Sequence, residues 1–238
     1  MKKTALFLLL LSSFLPQAVQ AQMFSVGDDD GFRTNPFAPY IRAGIKMVNF
    51  DYQGGQATAA GSLSLSGTAA HITFESGGFN LNASLANQLL GMEDQDYFGL
   101  ELNFTNPIYL LRNSNYLVGI PIQLNSKITS VRNDAASYDF SQTNLSAGLG
   151  AVVQLHFPQK LGATIQFIPQ YGFSSSSGGF IGGNVFSLSG KARLNFYNLI
   201  FGKNLSLGYD YSFDSYDIDE EQYDYDLTGH TLTLGISL

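Results

Sequence analysis

Apolar and polar residues alternate with a period of two along most of the chain, which is the pattern of a β-strand with two chemically different faces. In the segment 144–157, apolar side chains share one face, and polar or glycine residues share the other, with Val152 as the exception. A similar segment, 162–173, follows after Pro158-Gln159-Lys160, and Pro169 within it predicts a local bulge. Two strands of this length joined by three residues predict a long β-hairpin.

The same alternation predicts six further strands, at 41–47, 98–104, 118–125, 186–196, 205–214 and 231–238. Two weaker segments, 70–75 and 79–85, bring the count to ten. The second of them also fits the start of a short helix, because Leu85, Leu89 and Met92 have helical spacing. Without both weak segments the count is eight, and an odd count is disfavoured because it would place the two ends of the domain on opposite sides.

The connections between the predicted strands alternate between short and long. The short connections are 158–160 and 198–203, and the longer polar ones are 132–140, 174–183 and 215–225. Because successive connections alternate between the two ends of a barrel, the intermediate connection 106–115 belongs to the end with the short turns. Short turns at one end and long loops at the other are typical of transmembrane barrels. We therefore predict an all-β fold, a transmembrane antiparallel up-and-down β-barrel of ten strands, or alternatively eight.

The first 21 residues have the three parts of a secretory signal peptide. Lys2 and Lys3 give a positive start, 6–11 forms a short apolar core, and Val19-Gln20-Ala21 is a suitable cleavage site. The apolar core is too short to cross a bilayer. The expected organisation is a cleaved signal peptide at 1–21, an N-terminal periplasmic segment at 22–39 and an outer-membrane barrel at 40–238.

Composition agrees with a barrel and excludes several other classes of protein. The chain has 25 Gly, 19 Phe and 13 Tyr, which are poor helix formers, and the aromatic residues suit the girdles of a membrane barrel. It has no Cys, so disulfides cannot hold an exported domain together. The net charge of −7 gives no support for a nucleic-acid partner.

The chain resembles the small bacterial outer-membrane barrels of the outer membrane protein A and porin-family type. The resemblance covers nearly the whole chain after the signal peptide, and it rests on that signal, on the Gly- and aromatic-rich strands and on the final strand Thr231–Leu238. It implies an outer-membrane location, contact with membrane lipid and lipopolysaccharide, and recognition of Thr231–Leu238 by the barrel-assembly machinery. The final strand departs from the usual pattern by closing on Leu238 instead of an aromatic residue.

Charged residues within the strands are expected to point into the barrel, because an exposed Lys or Arg at the bilayer midplane costs about 2–4 kcal/mol. The alternation predicts that eight charged residues form a lumen network: Arg42, Lys46, Glu101, Lys127, Lys191, Arg193, Asp210 and Asp214. Cations and carboxylates on one wall can pair and plug a narrow barrel. The alternative is an open selective pore or a binding lumen.

The three histidines do not indicate a catalytic site. An outer-membrane enzyme needs a His next to a Ser or Asp at the outer rim. Parity places His156 at the short-turn end and points His230 towards lipid, and no motif around His71 indicates a nucleophile. We therefore predict a protein with no enzymatic activity, no cofactor and no metal, in which the acidic segment 214–226 is a solvated loop and not a cation site.

The predicted function is passive transport of small solutes, or surface structure and binding. Two alternatives stay open from the sequence. One is an outer-membrane enzyme that acts on lipid A or peptides. The other is a secreted soluble β-barrel that binds a ligand, which would require the apolar strand faces to meet in a dry core.

Overall fold

The computed structural model describes residues 38–52, 65–87, 95–133, 140–158, 160–176, 182–218 and 225–238. The described residues form strands and turns only, and none of them forms a helix that could span a membrane. The strands are β1 Tyr40–Tyr52, β2 Leu65–Ser76, β3 Phe79–Ala86, β4 Gln95–Arg112, β5 Tyr116–Asn133, β6 Phe140–Leu149, β7 Ala151–Phe157, β8 Leu161–Ser176, β9 Gly182–Ile200, β10 Lys203–Ile218 and β11 Tyr225–Ser237. The predicted signal peptide, and the predicted periplasmic segment as far as residue 37, lie outside the described residues.

The strands close into an antiparallel barrel in chain order. β1 pairs with β2 on one side and with β11 on the other, so the sheet has no free edge there. β6 and β7 are two halves of one barrel strand, since both pair with β5 on one side and with β8 on the other. The described residues therefore form ten barrel strands, which confirms the ten-stranded prediction over the eight-stranded one.

The break between β6 and β7 is at Gly150, opposite the segment Ile168-Pro169 of β8. The Gly150 N–H donates to the Pro121 carbonyl of β5 at 3.1 Å, so the contact with β5 continues across the break. A β-carbon at Gly150 would overlap the Phe167 carbonyl oxygen, so only glycine allows the two strands to approach this closely. On its other side Pro169 stays in register with Leu188 of β9. The register with β8 is the same before and after the break, with Gly148 opposite Gln170 and Ala151 opposite Phe167. Pro169 therefore interrupts the ladder without the predicted bulge.

The two ends of the barrel differ in their connections. Four short turns, at 77–78, 113–115, 158–160 and 201–202, lie at the end where β1 begins and β11 ends. Gly78 and Gly202 have φ values of 100° and 77°, which glycine adopts without steric cost. The longer connections join the strands at the opposite end, and their central residues lie outside the described ranges. We call these ends the short-turn end and the long-connection end.

The connection predicted at 106–115 is shorter in the structure, so the predicted length was wrong. β4 continues to Arg112 and β5 begins at Tyr116, so the turn has three residues. Pro107 and Pro121 face each other across the two strands, and the register shifts between Tyr109 and Leu111. The bulge lets the ladder continue where the sequence alternation is interrupted.

The weak segment 79–85 is a strand and not a helix. It forms β3, in which Leu85 pairs with Ala70 of β2 and with Phe98 of β4. Its alternation of exposed and buried residues matches a sheet with one face towards the lumen. The backbone N–H and C=O groups of β3 are hydrogen-bonded to both neighbouring strands. A helix at this point would lose these hydrogen bonds.

Candidate functional site in the barrel lumen

The polarity of the barrel is the inverse of a soluble protein. Ile45, Ile165 and Leu234 point outwards and are 50%, 61% and 58% exposed, whereas Arg42 and Lys127 point inwards and are 2% and 4% exposed. Polar side chains are buried against the lumen along the middle of the barrel, and large apolar side chains are exposed along the outer wall. The structure places all eight predicted charged residues on the lumen side.

An ion-pair chain crosses the lumen near the short-turn end. Arg42 Nε donates to Glu75 Oε2 at 2.8 Å, and Arg193 Nε donates to the same oxygen at 3.2 Å. Arg193 Nη2 lies 2.8 Å from Asp210 Oδ1. Arg42 Nη1 also donates to Ser206 Oγ at 2.7 Å. The chain links β2 to β9 and β10 on the other side of the interior, so it ties opposite walls together.

Glu75 is the charged lumen residue that the sequence reasoning missed. It lies at the end of β2, beside the turn at 77–78, and it accepts from both Arg42 and Arg193. The sequence contains a sign of this position: Glu75 lies two residues from Thr73 and four from His71, so all three share one face of the strand, and the other two are buried in the lumen. The alternation in this segment is short, so its parity alone is a weak basis for assigning inward residues.

Lys127 and Asp214 form a second ion pair across the lumen, between β5 and β10. Both side chains are buried, with 5% and 7% of their surface exposed. Ser187 Oγ donates to the other carboxylate oxygen of Asp214 at 2.6 Å. Both oxygens of this carboxylate are therefore satisfied, which a buried ion pair requires if it is not to destabilise the fold.

Glu101 is held by amides instead of by a contacting cation. Its Oε1 accepts from Asn103 Nδ2 at 2.9 Å and from Asn125 Nδ2 at 2.7 Å. Asn103 in turn accepts from Gln123 Nε2 at 2.6 Å. The carboxylate thus belongs to a polar layer on β4 and β5 that is stabilised by charge-assisted hydrogen bonds.

His71 lies in a hydrogen-bonded chain of neutral side chains. Its Nδ1 is 2.8 Å from Ser84 Oγ and its Nε2 is 2.8 Å from Thr73 Oγ1. Thr73 Oγ1 donates its proton to Asn82 Oδ1 at 2.9 Å, so it can only accept from His71. His71 therefore carries a proton on Nε2, and its ring spans β2 and β3 as a structural link.

At the long-connection end, the inward positions carry buried apolar and aromatic side chains, which the sequence pattern did not predict. Tyr216 and Tyr225 stack with ring centroids 4.3 Å apart, and Phe50 packs against Tyr225 at 5.0 Å. We call the whole group the apolar plug, and its residues are Val48, Phe50, Leu65, Ala69, Ala86, Tyr97, Val131, Val185, Tyr216, Tyr225 and Leu227. All are buried, and they lie where the inward positions change from polar to apolar along the strands.

Lys46 and Lys191 are the two predicted cations that make no ion pair with a carboxylate within the described ranges. Both line a small cavity of about 40 Å³ in the lumen. A cavity this small is expected for a barrel of few strands, in which side chains occupy most of the interior.

The other two histidines lie where parity predicted. His156 is near the end of β7 at the short-turn end. His230 is on the outer surface, where its Nδ1 lies 2.8 Å from the Tyr209 hydroxyl and its ring packs against Tyr211. Among the described residues no group of His, Asp or Glu is arranged to hold a metal ion. The acidic segment 214–226 lies partly outside those residues.

Sequence comparison finds no matching family model and no matching curated protein. Comparison of structures finds similarity to bacterial outer-membrane β-barrels. The outer membrane protease OmpT from Escherichia coli is 7% identical with a TM-score of 0.43, over 87% of this chain and 98% of that one. The translocator domain of the autotransporter NalP from Neisseria meningitidis is 10% identical with a TM-score of 0.34, over 100% and 98%.

Neisserial surface protein A, NspA, is 9% identical with a TM-score of 0.31, over 83% of this chain and 94% of that one. These proteins include both a protease and a surface protein. Structural similarity with so low a sequence identity and TM-score does not indicate the function of this chain. The class of protein is defined by the structure itself: a closed ten-stranded antiparallel barrel with a charged, filled lumen and an apolar outer wall.

Proposed function

We propose that this protein is an integral outer-membrane barrel without enzymatic activity, closed to solute flow, whose role is surface structure or binding. The observation that carries the proposal is the inverse polarity of the wall. A soluble barrel would expose its charges and bury its Ile and Leu side chains, because burying apolar surface is the main driving force of folding in water. Here charges are buried, and large apolar side chains cover the outside.

Aromatic side chains support a position across the lipid bilayer. Tyr171, Phe173 and Phe186 are exposed near the long-connection end, and Phe157 and Phe201 are exposed at the short-turn end. Aromatic residues at two levels are typical of the two interfaces of a lipid bilayer. In this proposal the short turns face the periplasm, and the long connections face the outside.

The closed lumen favours surface structure or binding over passive transport. The apolar plug covers the long-connection end, and ion pairs join opposite walls below it. A solute would have to break both layers to pass. The Ser84–His71 contact does not support an enzyme, because both side chains are buried within the lumen and have structural partners.

The membrane part of the proposal is tested by extraction and gel migration. The mature protein should require detergent and should migrate faster when unboiled than when boiled, because a closed barrel resists unfolding in the gel. A protein that is soluble and monodisperse without detergent would disprove the membrane assignment and favour the soluble ligand-binding barrel.

The closed state is tested by conductance in planar bilayers. The wild-type protein should give little or no current at any ionic strength, while a known porin inserted by the same protocol gives defined steps. Stable, high-conductance wild-type channels would contradict the closed lumen and favour passive solute transport. Hydrolysis of lipid A or peptides by the wild-type protein would contradict the non-enzymatic part.

A further inference from the structure

Among the described residues, the lumen carries one more cation than carboxylates. Its cations are Arg42, Lys46, Lys127, Lys191 and Arg193, and its carboxylates are Glu75, Glu101, Asp210 and Asp214. The ion pairs between them use two arginines, one lysine and three carboxylates. Two lysines and Glu101 are left over, and all three line the same cavity.

Lys46 is the clearest unbalanced charge. It is 7% exposed, and none of the described carboxylates lies within ion-pair distance of its ammonium group. A β-carbon at Gly229 would lie 2.7 Å from Lys46 Cε and 2.6 Å from Ser212 Oγ. The lysine stem therefore crosses Gly229 towards β10, and this directs the ammonium group to the cavity that Ser212 also lines.

Lys191 approaches the cavity from the neighbouring wall. Lys46 pairs with Thr231, Thr231 with Asp210, and Asp210 with Lys191, so three successive ladder pairs connect the two lysines, and both side chains line the cavity. With the Asn80 amide turned so that its oxygen faces the ammonium, it accepts from Lys191 Nζ at 2.9 Å. This leaves the other ammonium protons of Lys191 available, since a lysine has three donors.

We propose that this cavity binds one small inorganic anion of halide size between Lys46 and Lys191. A buried charge without a counter-charge is strongly unfavourable, and one monovalent anion would balance the excess cation. A volume of about 40 Å³ accepts a few water molecules or one such ion. Organic ligands need cavities of roughly 300 Å³ or more.

The anion site is tested by unfolding the detergent-solubilised full chain in potassium chloride and in potassium gluconate at equal ionic strength. Gluconate is too large for the cavity. Because a ligand that binds only the folded state stabilises it, the unfolding midpoint should be higher in chloride, by about 2–4 °C, and the effect should saturate. Equal midpoints in the two salts would overturn the proposal.

The variants separate the site from general salt effects. Lys46→Met should abolish the chloride–gluconate difference and, in gluconate, should unfold at or above the wild-type temperature, because it removes an unbalanced buried charge. Lys203→Met, which removes an exposed lysine at the short-turn end, should keep the full difference. A difference that persists unchanged in Lys46→Met would show ion effects elsewhere and overturn the site.

A second measurement does not depend on any variant folding. Crystals of the wild-type protein grown or soaked in sodium bromide should show one anomalous peak between Lys46 Nζ and Lys191 Nζ. Absence of this peak at full bromide exchange would contradict the proposal. The anion site rests on the closed lumen of the proposed function, but separate experiments test the two proposals. Conductance measurements test whether the lumen is closed, and the dependence of stability on the anion tests the binding site.

Discussion

At the residue scale, the fold depends on how each buried charge is balanced. Lys127 and Asp214 are each other's counter-charge in the lumen. Lys127→Met should destabilise the barrel by about 3–5 kcal/mol, because it leaves the Asp214 carboxylate buried and unpaired. Lys203→Met, at an exposed position, should stay within about 0.5 kcal/mol of the wild type. Urea unfolding in detergent, followed by gel migration, measures both.

The double substitution Lys127→Met with Asp214→Leu is the matched control for this pair. Removing both charges removes the unpaired group, so the double variant should be more stable than Lys127→Met alone. If the double variant lost as much stability as the two single variants added together, the two side chains would not be coupled as the structure indicates.

Lys191 and Arg193 give a second prediction at this scale. They point to the same side of β9, and between them they contact Asn80, Glu75 and Asp210. Replacing both with Ser should lower heat resistance and raise bilayer conductance, because contacts between opposite walls are lost. In an open channel the same change would instead reduce anion selectivity and leave heat resistance nearly unaltered. Gel migration and single-channel recording distinguish the two.

Parity predicted which charged residues face the lumen, but it could not predict their partners. A period of two assigns a residue to a face, and says nothing about which residue of an opposite wall it reaches. Arg193 with Glu75 and Lys127 with Asp214 join strands far apart in the chain. The sequence predicts five lumen cations against three carboxylates, and Glu75 adds a fourth carboxylate.

At the element scale, the alternation of short and long connections predicts the orientation in the membrane. A Cys introduced at Glu221, in the connection between β10 and β11, should react with an impermeant maleimide on intact cells. So should a Cys at Ser176. A Cys at Ser114 or Gln159, in short turns, should react only after the outer membrane is permeabilised. The reverse pattern would invert the proposed topology.

Strand boundaries were predicted best where alternation was unbroken. The turn of the β7–β8 hairpin was predicted closely, because both strands have a clear apolar face. The last strand, by contrast, begins at Tyr225, six residues before its predicted start at Thr231. The ends of β4 and β5 were missed, since Pro107, Pro121 and the bulge after Tyr109 interrupt the pattern without ending the ladder. The apolar plug was missed for a related reason: inward positions such as Val48 and Phe50 are apolar, so they obscure the two-faced pattern.

At the scale of the whole molecule, the proposed closure of the lumen has two layers, the apolar plug and the ion pairs. Phe50→Ala should cost about 3–5 kcal/mol of stability, because Phe50 is buried and packs against Tyr225. Conductance should nevertheless stay low, since the ion pairs still block the lumen. Adding Lys191→Ser and Arg193→Ser to Phe50→Ala should give a larger conductance than either change alone.

The matched control for Phe50→Ala is Phe186→Ala, which removes the same side chain from the outer wall, where Phe186 is exposed. Phe186→Ala should lower stability less and leave conductance unchanged, alone and in combination with the changes at Lys191 and Arg193. A high conductance in Phe50→Ala by itself would show that the ion pairs do not block the lumen.

The pairing of β1 with β11 also determines the order in which the molecule can fold. These strands are the first and last of the barrel, and they align from Tyr40–Ser237 to Tyr52–Tyr225. Their contact closes the longest loop in the chain, so it has the largest entropic cost and depends on the other strands having assembled first. We expect refolding to end in a slow step at this seam, and a chain from which β11 is deleted to stay an open sheet that never acquires heat-resistant migration.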